Sequence, residues 1–292
     1  MELRVLKYFL AVAQEENITR AAERLHVTQP TLSRQLMDLE AELDTKLFTR
    51  GRHSISLTED GLILKQRAQE ITDLSEKIKQ DFIYKDDILA GTVSISGGEI
   101  RSMNIVSKLI AEFHKKYPNV LFEIHSAITD DIKDGIERGL VDIGVMSEPV
   151  DVAKYNFIRM NEKEEWGVLI KHDSRLAEKE YISPEDLIGV PLIMAIREGV
   201  RNEIANWFGE VYNKLDITAT CDLLYNTAVL VKNDVGAAVC IRYESEYKDL
   251  CFRPLRPAIE TGSLMVWKKN RTFSRAADKF IEFAKQKLRT KL

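Results

Sequence analysis

One stretch, residues 18–58, constrains the fold of this chain more than any other. Its first half contains two helical patterns separated by about three residues, the spacing of a helix-turn-helix. The first pattern includes Ala21 and Ala22, which are small enough to let a crossing helix approach closely. The second begins at Thr28, a residue type that caps backbone N–H groups. Pro30 then lies in the first turn, where its missing donor costs nothing. The sequence therefore predicts a helix-turn-helix.

The second helix has an apolar face and a polar N-terminal end, which we call its front end (residues 28–34). Its predicted buried stripe recurs at helical spacing and comprises Leu32, Leu36, Leu39 and Leu43. Bond-forming or pre-ordered side chains occupy the other faces of its N-terminal half: Gln29, Pro30, Thr31, Ser33 and Arg34. This is the pattern of a helix whose N-terminal end enters the DNA major groove and reaches base edges. A surface helix of a small helical bundle is the alternative.

A hairpin is predicted next, over residues 47–58. Ile55 and Leu57 alternate with serines, and Gly51 lies near the tip. Arg50 and Arg52 flank this glycine, where guanidinium groups reach phosphates or the minor groove. A helix-turn-helix followed by a basic hairpin is a winged DNA-binding module.

Residues 1–58 resemble the N-terminal domain of LysR-type transcriptional regulators. Many residues in the same order make the resemblance specific. They are Phe9, Ala21, Ala22, Leu25, Gln29, Pro30, Leu32, Ser33, Leu39, Glu40, Leu43, Leu47, Phe48, Arg50, Leu57, Thr58 and Gly61. One difference is at the tip, where Gly51 precedes Arg52 and many members of the family have the glycine one position later. Which tip residue contacts DNA is therefore open.

The candidate DNA-binding residues follow from this pattern. We assign Gln29, Ser33 and Arg34 to base and groove contacts, and Pro30 to the same front end. Thr28 and Thr31 are assigned to helix caps or phosphates, and Arg50 and Arg52 to contacts from the hairpin. Residues 1–58 contain equal numbers of basic and acidic residues, and the whole chain has a net charge of −4. We therefore expect a small, focused DNA footprint, weak binding by a single module and a need for dimers.

A long helix is predicted from Thr58 to about residue 87 and serves as the dimerisation device. Its apolar stripe comprises Leu64, Ala68, Ile71, Leu74, Ile78 and Phe82. A small domain beside it has no room to bury so long a stripe, so pairing with a second chain is favoured. Packing on the chain's own C-terminal part is the alternative. The resemblance implies a homodimer, and a homotetramer built from it, on an inverted-repeat site in double-stranded DNA. It also implies contact with RNA polymerase.

Beyond a hinge at 86–91, strand and helix patterns alternate, which predicts two α/β units with parallel sheets. Strands are predicted at 92–96, 120–125, 141–146, 166–171, 191–195, 217–221, 236–241 and 263–267. Helices are predicted at 102–117, 130–138, 202–212, 227–232 and 274–289. This part resembles the periplasmic-binding-protein-like effector domain of the same family, mainly in layout. The predicted domains are 1–58, a linker helix 59–88 and an effector domain 89–292. Lobe I covers about 91–160 and 267–292, and lobe II about 161–266.

Ligands of such domains bind at the carboxyl ends of the strands, between the lobes. The candidate effector-binding residues are therefore Gly98, Glu99, Ser126, Thr129, Ser147, Arg197 and Thr227. The helix beginning near Ser102 favours anions at its N-terminus, but Glu99 beside it opposes them. Either the effector is not a simple carboxylate at that helix end, or it carries a cation that meets Glu99, or Glu99 merely complements the helix dipole. Arg197 and Arg201 are candidates to hold an anion, with solvation as the alternative.

Other classes of function find little support in the sequence. The five histidines are scattered without metal-ligand spacing, and no Gly-x-Ser-x-Gly turn is present, so neither an enzyme nor a cofactor or metal is predicted. Cys221, Cys240 and Cys251 fit free buried thiols, with redox sensing as the alternative. No apolar run approaches the length of a membrane span, and the predicted location is the cytoplasm. A ligand-binding protein whose N-terminal module contacts proteins is the runner-up to a LysR-type regulator.

Overall fold

The computed structural model describes residues 1–50, 55–83, 89–242 and 247–289. Side chains 50, 79–83, 198 and 289 are outside that description. The chain divides into two compact units, Met1–Ile83 and Tyr84–Leu292, and each is described by itself.

The first unit consists of four helices and a small hairpin within the described residues. In chain order they are α1 (Leu3–Glu15), α2 (Ile18–Arg24), α3 (Gln29–Glu42), β1 (Phe48–Arg50), β2 (Ile55–Leu57) and α4 (Glu59–Ile83). Its core is aliphatic and aromatic, and Phe9 of α1 lies 5.2 Å from Phe48 of β1, ring centre to ring centre. The predicted stripe of α3 is buried at Leu32, Leu36 and Leu39. Leu43 is instead exposed, because α3 ends at Glu42.

The buried carboxylate of Glu40 joins α3 to the hairpin. It accepts hydrogen bonds from the backbone N–H groups of Leu47 (2.9 Å) and Phe48 (3.3 Å) and from Lys46 Nζ (2.9 Å). Burial alone raises the pKa of Glu40, but the three hydrogen bonds and the charge of Lys46 outweigh it and hold the pKa below the ordinary value.

The predicted apolar stripe of α4 divides into two parts. Ala68 is fully buried and Leu64 half-buried, and both pack in the core of the first unit against α1. The expectation that this whole stripe lacks a place in its own chain was therefore wrong for its N-terminal part. Ile71, Leu74 and Ile78 remain exposed, at 43%, 40% and 53% of their surface. The side chain of Phe82 is outside the described residues.

The second unit alternates strands and helices as predicted, with several differences. Its elements are β3 (Gly91–Gly97), α5 (Met103–Lys116), β4 (Val120–Ser126), α6 (Thr129–Glu137), β5 (Ile143–Ser147), β6 (Tyr155–Lys171), β7 (Pro191–Ala195), α7 (Glu198–Phe208), β8 (Asp216–Cys221), α8 (Leu224–Lys232), β9 (Ala237–Ile241), β10 (Leu250–Pro254), β11 (Glu260–Lys268) and α9 (Arg275–Arg289). Short 3-10 helices cover Arg175–Glu178, Pro184–Leu187 and Gly209–Lys214.

The sheets are mixed rather than parallel. In lobe I the order is β4-β3-β5-β11-β6, and in lobe II it continues β6-β9-β7-β8, with β10 beside β6. β3, β4 and β5 are parallel, as are β7, β8 and β9, but β6 and β11 run antiparallel to their neighbours. The reason is that β6 and β11 carry the chain between the lobes in opposite directions. β11 pairs with β5 from Ser263 onward, before the predicted lobe I boundary at 267.

Three further predictions were wrong in detail. β6 begins at Tyr155, well before the predicted start at 166, because its first half pairs with β11. β10 was not predicted, and its ladder with β6 is antiparallel. α7 begins at Glu198 and ends at Phe208, where Gly209 has a positive φ of 56°. The predicted extension to residue 212 is a 3-10 helix instead.

Glu40→Ala should lower the free energy of unfolding by about 1–3 kcal/mol at pH 7, because two backbone N–H groups lose their charged acceptor. Since the folded-state pKa of Glu40 is lowered, this contribution is present above the ordinary value of 4.5 and is lost as the pH falls through the folded-state pKa. Urea unfolding followed by circular dichroism at several pH values measures both effects. The control is Asp38→Ala, an exposed change on the same helix. A Glu40→Ala effect that is equally large at the acid end would contradict the assignment.

Candidate nucleic-acid interface and ligand cleft

The front end of α3 is exposed. Thr28, Gln29, Pro30 and Thr31 are exposed to solvent and Ser33 is half-buried. Arg34 is exposed, and its guanidinium has no acidic partner within the described residues. The predicted cap is not formed: the Thr28 hydroxyl bonds the Thr31 hydroxyl at 2.7 Å rather than a backbone N–H group. The cluster of polar side chains is therefore free to contact a partner.

The turn between α2 and α3 is held by backbone geometry. His26 adopts a left-handed conformation (φ 54°), and the N–H of Val27 donates to the carbonyl of Ala22 at 3.0 Å. Ala21 and Ala22 are buried, as their small size had predicted. This turn sets the angle at which α3 crosses α2 and so presents the front end of α3 outward.

The predicted hairpin is present as an antiparallel pair of β1 and β2. Phe48 lies opposite Leu57, and Arg50 lies opposite Ile55. The N–H of Ile55 donates to the carbonyl of Glu16 at 3.1 Å, which ties β2 to the end of α1. Arg50 is the last residue of β1; its side chain, and the whole of Arg52, fall outside the described residues.

The carboxyl ends of the strands of both lobes meet around one cavity of about 140 Å³. Its wall is formed by segments that follow β3, β4 and β5 in lobe I and β7 and β8 in lobe II, together with the end of β9. The crossing strands contribute Trp166 and Thr261. Most of the wall is aliphatic, which is typical of a small-molecule site.

Six of the predicted effector-binding residues line this cavity: Gly98, Glu99, Thr129, Ser147, Arg197 and Thr227. Ser126 does not. It lines a neighbouring open pocket beside the start of α5, because it is the last residue of the edge strand β4 and is exposed there. Their roles in effector binding stay predictions.

Glu99 reaches from lobe I to lobe II. Its Oε2 accepts hydrogen bonds from the N–H groups of Leu224 (2.6 Å) and Tyr225 (3.4 Å) at the start of α8. Glu99 therefore complements a helix N-terminus, as one of the predicted alternatives had it, but the helix is α8 of the other lobe rather than α5.

Arg197 spans the cleft from lobe II to lobe I. Its guanidinium donates to the carbonyl oxygens of Ser147 (3.3 Å) and Pro149 in lobe I. Burial lowers the pKa of Arg197, against the opposing charges of Asp130 and Glu203. The predicted alternatives were an anion or solvent as its partner, and in the structure two backbone carbonyls take that place.

The N-terminus of α5, the expected anion position, is filled by Glu164 of the crossing strand β6. This carboxylate is completely buried and accepts from the N–H groups of Arg101 (3.1 Å) and Ser102 (3.3 Å). Burial raises its pKa, although the two backbone hydrogen bonds oppose the rise. Beside it, the Trp166 indole N–H donates to Thr261 Oγ1 at 2.6 Å. Neither Glu164 nor Trp166 was predicted, because the charged run 162–165 is typical of a solvated strand.

The cysteines are free thiols, and two of them, Cys221 and Cys240, line the cavity. Burial raises the pKa of Cys240 to about 12, which disfavours the reactive thiolate. Within the described ranges, no group of three His, Cys, Asp or Glu side chains could hold a metal ion.

Comparison with known proteins identifies the family. Residues 3–62 match the model described as "Bacterial regulatory helix-turn-helix protein, lysR family", and residues 87–289 match "LysR substrate binding domain". The chain belongs to the LysR family. Its function as a LysR-type DNA-binding transcriptional regulator with a substrate-binding domain is thereby confirmed. The family consists of transcriptional regulators, not enzymes.

Individual relatives agree with this assignment. The Hca operon transcriptional activator HcaR of Escherichia coli is 30% identical over 277 residues, with 92% of each chain covered. The uncharacterised regulator YvbU of Bacillus subtilis is 25% identical over 291 residues, with 98% of each chain covered. The LysR regulator CbnR has the same fold, with a TM-score of 0.78 at 20% identity and 99% of both chains covered. The structure of full-length CbnR in complex with its target DNA has a TM-score of 0.75 at 20% identity, with 98% of this chain and 99% of that chain covered.

The predicted fold class of this LysR regulator, a helical winged module followed by a two-lobed α/β domain, is confirmed. In the part of the chain that the structure describes, no helix has both the length and the apolar character needed to cross a membrane.

The free energy of unfolding of the wild type, compared with that of Glu164→Gln, should decrease as the pH rises above 4.5. The pKa of Glu164 is raised in the folded state, so its contribution is fully present below the unfolded value of 4.5 and is lost as the pH rises through the folded-state pKa. Chemical unfolding followed by tryptophan fluorescence at a series of pH values measures this difference, because Trp166 lies two residues away. Glu180→Gln, an exposed change in the same unit, is the control. A difference between wild type and Glu164→Gln that is independent of pH would show that the carboxyl does not titrate as argued.

Proposed function

We propose that this regulator reads an inverted-repeat site as a dimer, through the front end of α3 and the hairpin, and that a small effector in the cleft controls it. The observation that carries the proposal is the exposed polar cluster Thr28, Gln29, Pro30, Thr31, Ser33 and Arg34, which stands on a rigidly packed helix. Arg34 is the only residue of this cluster with a formal charge, and a guanidinium forms two parallel hydrogen bonds to a guanine edge. Arg50 and Arg52 supply the contacts from the hairpin.

The dimer rests on α4. Ile71, Leu74 and Ile78 follow each other at spacings of three and four residues and so share one helix face. All three are exposed in the single chain, whereas Leu64 and Ala68 are already covered by α1. An aliphatic stripe of this kind on a solvent-facing helix is typical of a partner surface. A second copy of α4 buries it and places two α3 helices on successive half-sites.

Effector binding acts through the two lobes. A ligand that prefers one degree of lobe closure shifts the population of that state and changes the spacing of the DNA-binding modules within a dimer or tetramer. Contact with RNA polymerase and a cytoplasmic location belong to the same proposal, because the chain acts on promoter DNA.

Electrophoretic or fluorescence titration of the full chain with duplexes from its own upstream region, at several salt concentrations, tests the proposal. If the chain shows no salt-dependent binding to these duplexes, the proposed function is wrong.

Arg34→Ala should weaken binding to the specific site by about 1–3 kcal/mol if the guanidinium contacts a base, and should relax the preference at that one position. Fluorescence anisotropy with the specific duplex and with single-base variants measures this. Arg175→Ala is the matched control, since Arg175 is an exposed arginine outside α3, the hairpin and α4. An equal loss on every sequence would instead assign Arg34 to a phosphate.

Leu74→Glu should shift the chain from dimer to monomer, because it places a charge on the aliphatic face of α4. Sedimentation equilibrium measures the dimer dissociation constant, which we expect to rise by about tenfold or more. Gln66→Glu adds the same charge at an exposed position of the same helix outside the stripe and should leave the constant unchanged. If Leu74→Glu dimerises like the wild type, the exposed stripe is not the dimer surface.

A further inference from the structure

The charged groups around the cleft restrict what it can bind. We propose that the effector is an uncharged, mainly apolar molecule of about one ring in size, and that Glu99 is the residue that excludes carboxylates. The proposal rests on the proposed function, in that it takes this cleft as the effector site.

Size and lining set the first limit. A cavity of about 140 Å³ is close to that of engineered apolar cavities of about 150 Å³ that hold benzene. Its wall carries aliphatic side chains from both lobes, among them Ile128, Ile132, Ile193 and Val239, and the aromatic Trp166. A single apolar ring therefore matches both the volume and the surface that it would contact.

Two of the helix N-termini near the cavity, those of α5 and α8, are already occupied by carboxylates of the chain. Helix N-termini favour anions because their N–H groups lack partners. At α5 the N–H groups of Arg101 and Ser102 donate to Glu164, and at α8 those of Leu224 and Tyr225 donate to Glu99. A ligand carboxylate at either helix would have to displace a carboxylate of the chain itself.

The formal charge of the wall opposes an anion as well. The charged residues that line the cavity are three acids, Glu99, Glu148 and Asp222, and one base, Arg197. The guanidinium of Arg197 already donates to the carbonyls of Ser147 and Pro149. A carboxylate entering this wall meets more negative than positive charge in a partly desolvated site, where repulsion is strong.

A cation gains less from this wall than its net charge suggests, since each acid already accepts at least one hydrogen bond. Glu99 accepts from α8, Glu148 pairs with Arg159 at 2.7 Å, and Asp222 accepts from the N–H of Leu223 at 2.8 Å. An ammonium or amidinium group would lose its hydration in an apolar cavity without gaining a free carboxylate. The hydroxyls of Thr129 and Ser147 on the wall suit a neutral ligand with one hydrogen-bonding group.

Three isosteric probes separate these classes: benzamide is neutral, benzoate is anionic and benzamidine is cationic. Isothermal titration calorimetry or ligand-detected NMR on the full-length chain gives a dissociation constant for each. We expect benzamide to bind about tenfold more tightly than benzoate, because benzoate alone meets like charge at Glu99. We also expect benzamide to bind more tightly than benzamidine.

Glu99→Gln is the decisive variant. Its amide oxygen can still accept from the N–H of Leu224, so the contact between the lobes is kept while the negative charge is removed. In this variant the preference for benzamide over benzoate should fall to about threefold or less. Glu123→Gln, an exposed change on β4 outside the cavity wall, removes the same charge and should keep the wild-type preference.

Four results would overturn the proposal. These are a wild-type chain that binds benzoate as tightly as benzamide, one that binds benzamidine most tightly, a Glu99→Gln chain with an unchanged preference, and an absence of binding by all three probes. Titration of the same preparations with promoter DNA separates the proposals. If DNA binding is retained while one of these results is found, the ligand class is wrong and the regulator function stands.

Discussion

Carboxylates that accept pairs of backbone N–H groups hold this structure together. Glu40 accepts from Leu47 and Phe48, Glu164 from Arg101 and Ser102, and Glu99 from Leu224 and Tyr225. In each case the acceptor and the donors belong to different elements, so one side chain fixes the position of one element relative to another. Such charge-assisted bonds are roughly twice as strong as neutral ones, and a buried N–H group without an acceptor is costly. Each carboxylate therefore stabilises a contact between two elements whose relative position the packing of apolar side chains alone would not fix.

The same interaction has opposite electrostatic consequences at different sites. At Glu40, hydrogen bonds and Lys46 outweigh burial, so the carboxylate is favoured and its pKa is lowered. At Glu164 burial is the largest effect and outweighs the backbone hydrogen bonds from Arg101 and Ser102 and the charge of Arg101, so its pKa is raised. The first site locks the hairpin to α3 at neutral pH. At the second, burial in the crossing strand makes the charged form less stable than it is in water.

Local sequence patterns were sufficient to predict most helices and strands and the family. They were not sufficient to predict these carboxylate contacts between elements. Ala21 and Ala22 are buried as their small size had predicted, and Leu32, Leu36 and Leu39 as their helical spacing had predicted. Both sets of parallel strands follow from the alternation of strands and helices. Six cavity residues could be predicted because strand ends converge at a cleft, whichever side chains are present. Glu164 could not, because its burial depends on the pairing of β6 with β11, whose register is determined by residues about a hundred positions apart. The same long-range pairing explains the missed first half of β6.

The cleft also limits how an effector can act on the regulator. Glu99 and Arg197 connect the lobes in opposite directions, so polar contacts of the chain itself favour a closed arrangement. A ligand shifts the balance between lobe arrangements only by contacts that differ between them. Apolar burial between the lobes is such a contact, since an aliphatic wall from both lobes surrounds a bound ring only when they are close. Burying a ring the size of a phenylalanine side chain contributes about 1.5–3 kcal/mol. That is of the same size as the typical coupling free energy between two sites of about 1–3 kcal/mol, so under the proposal burial of a small neutral ring in one lobe arrangement only would be enough to shift the balance between arrangements.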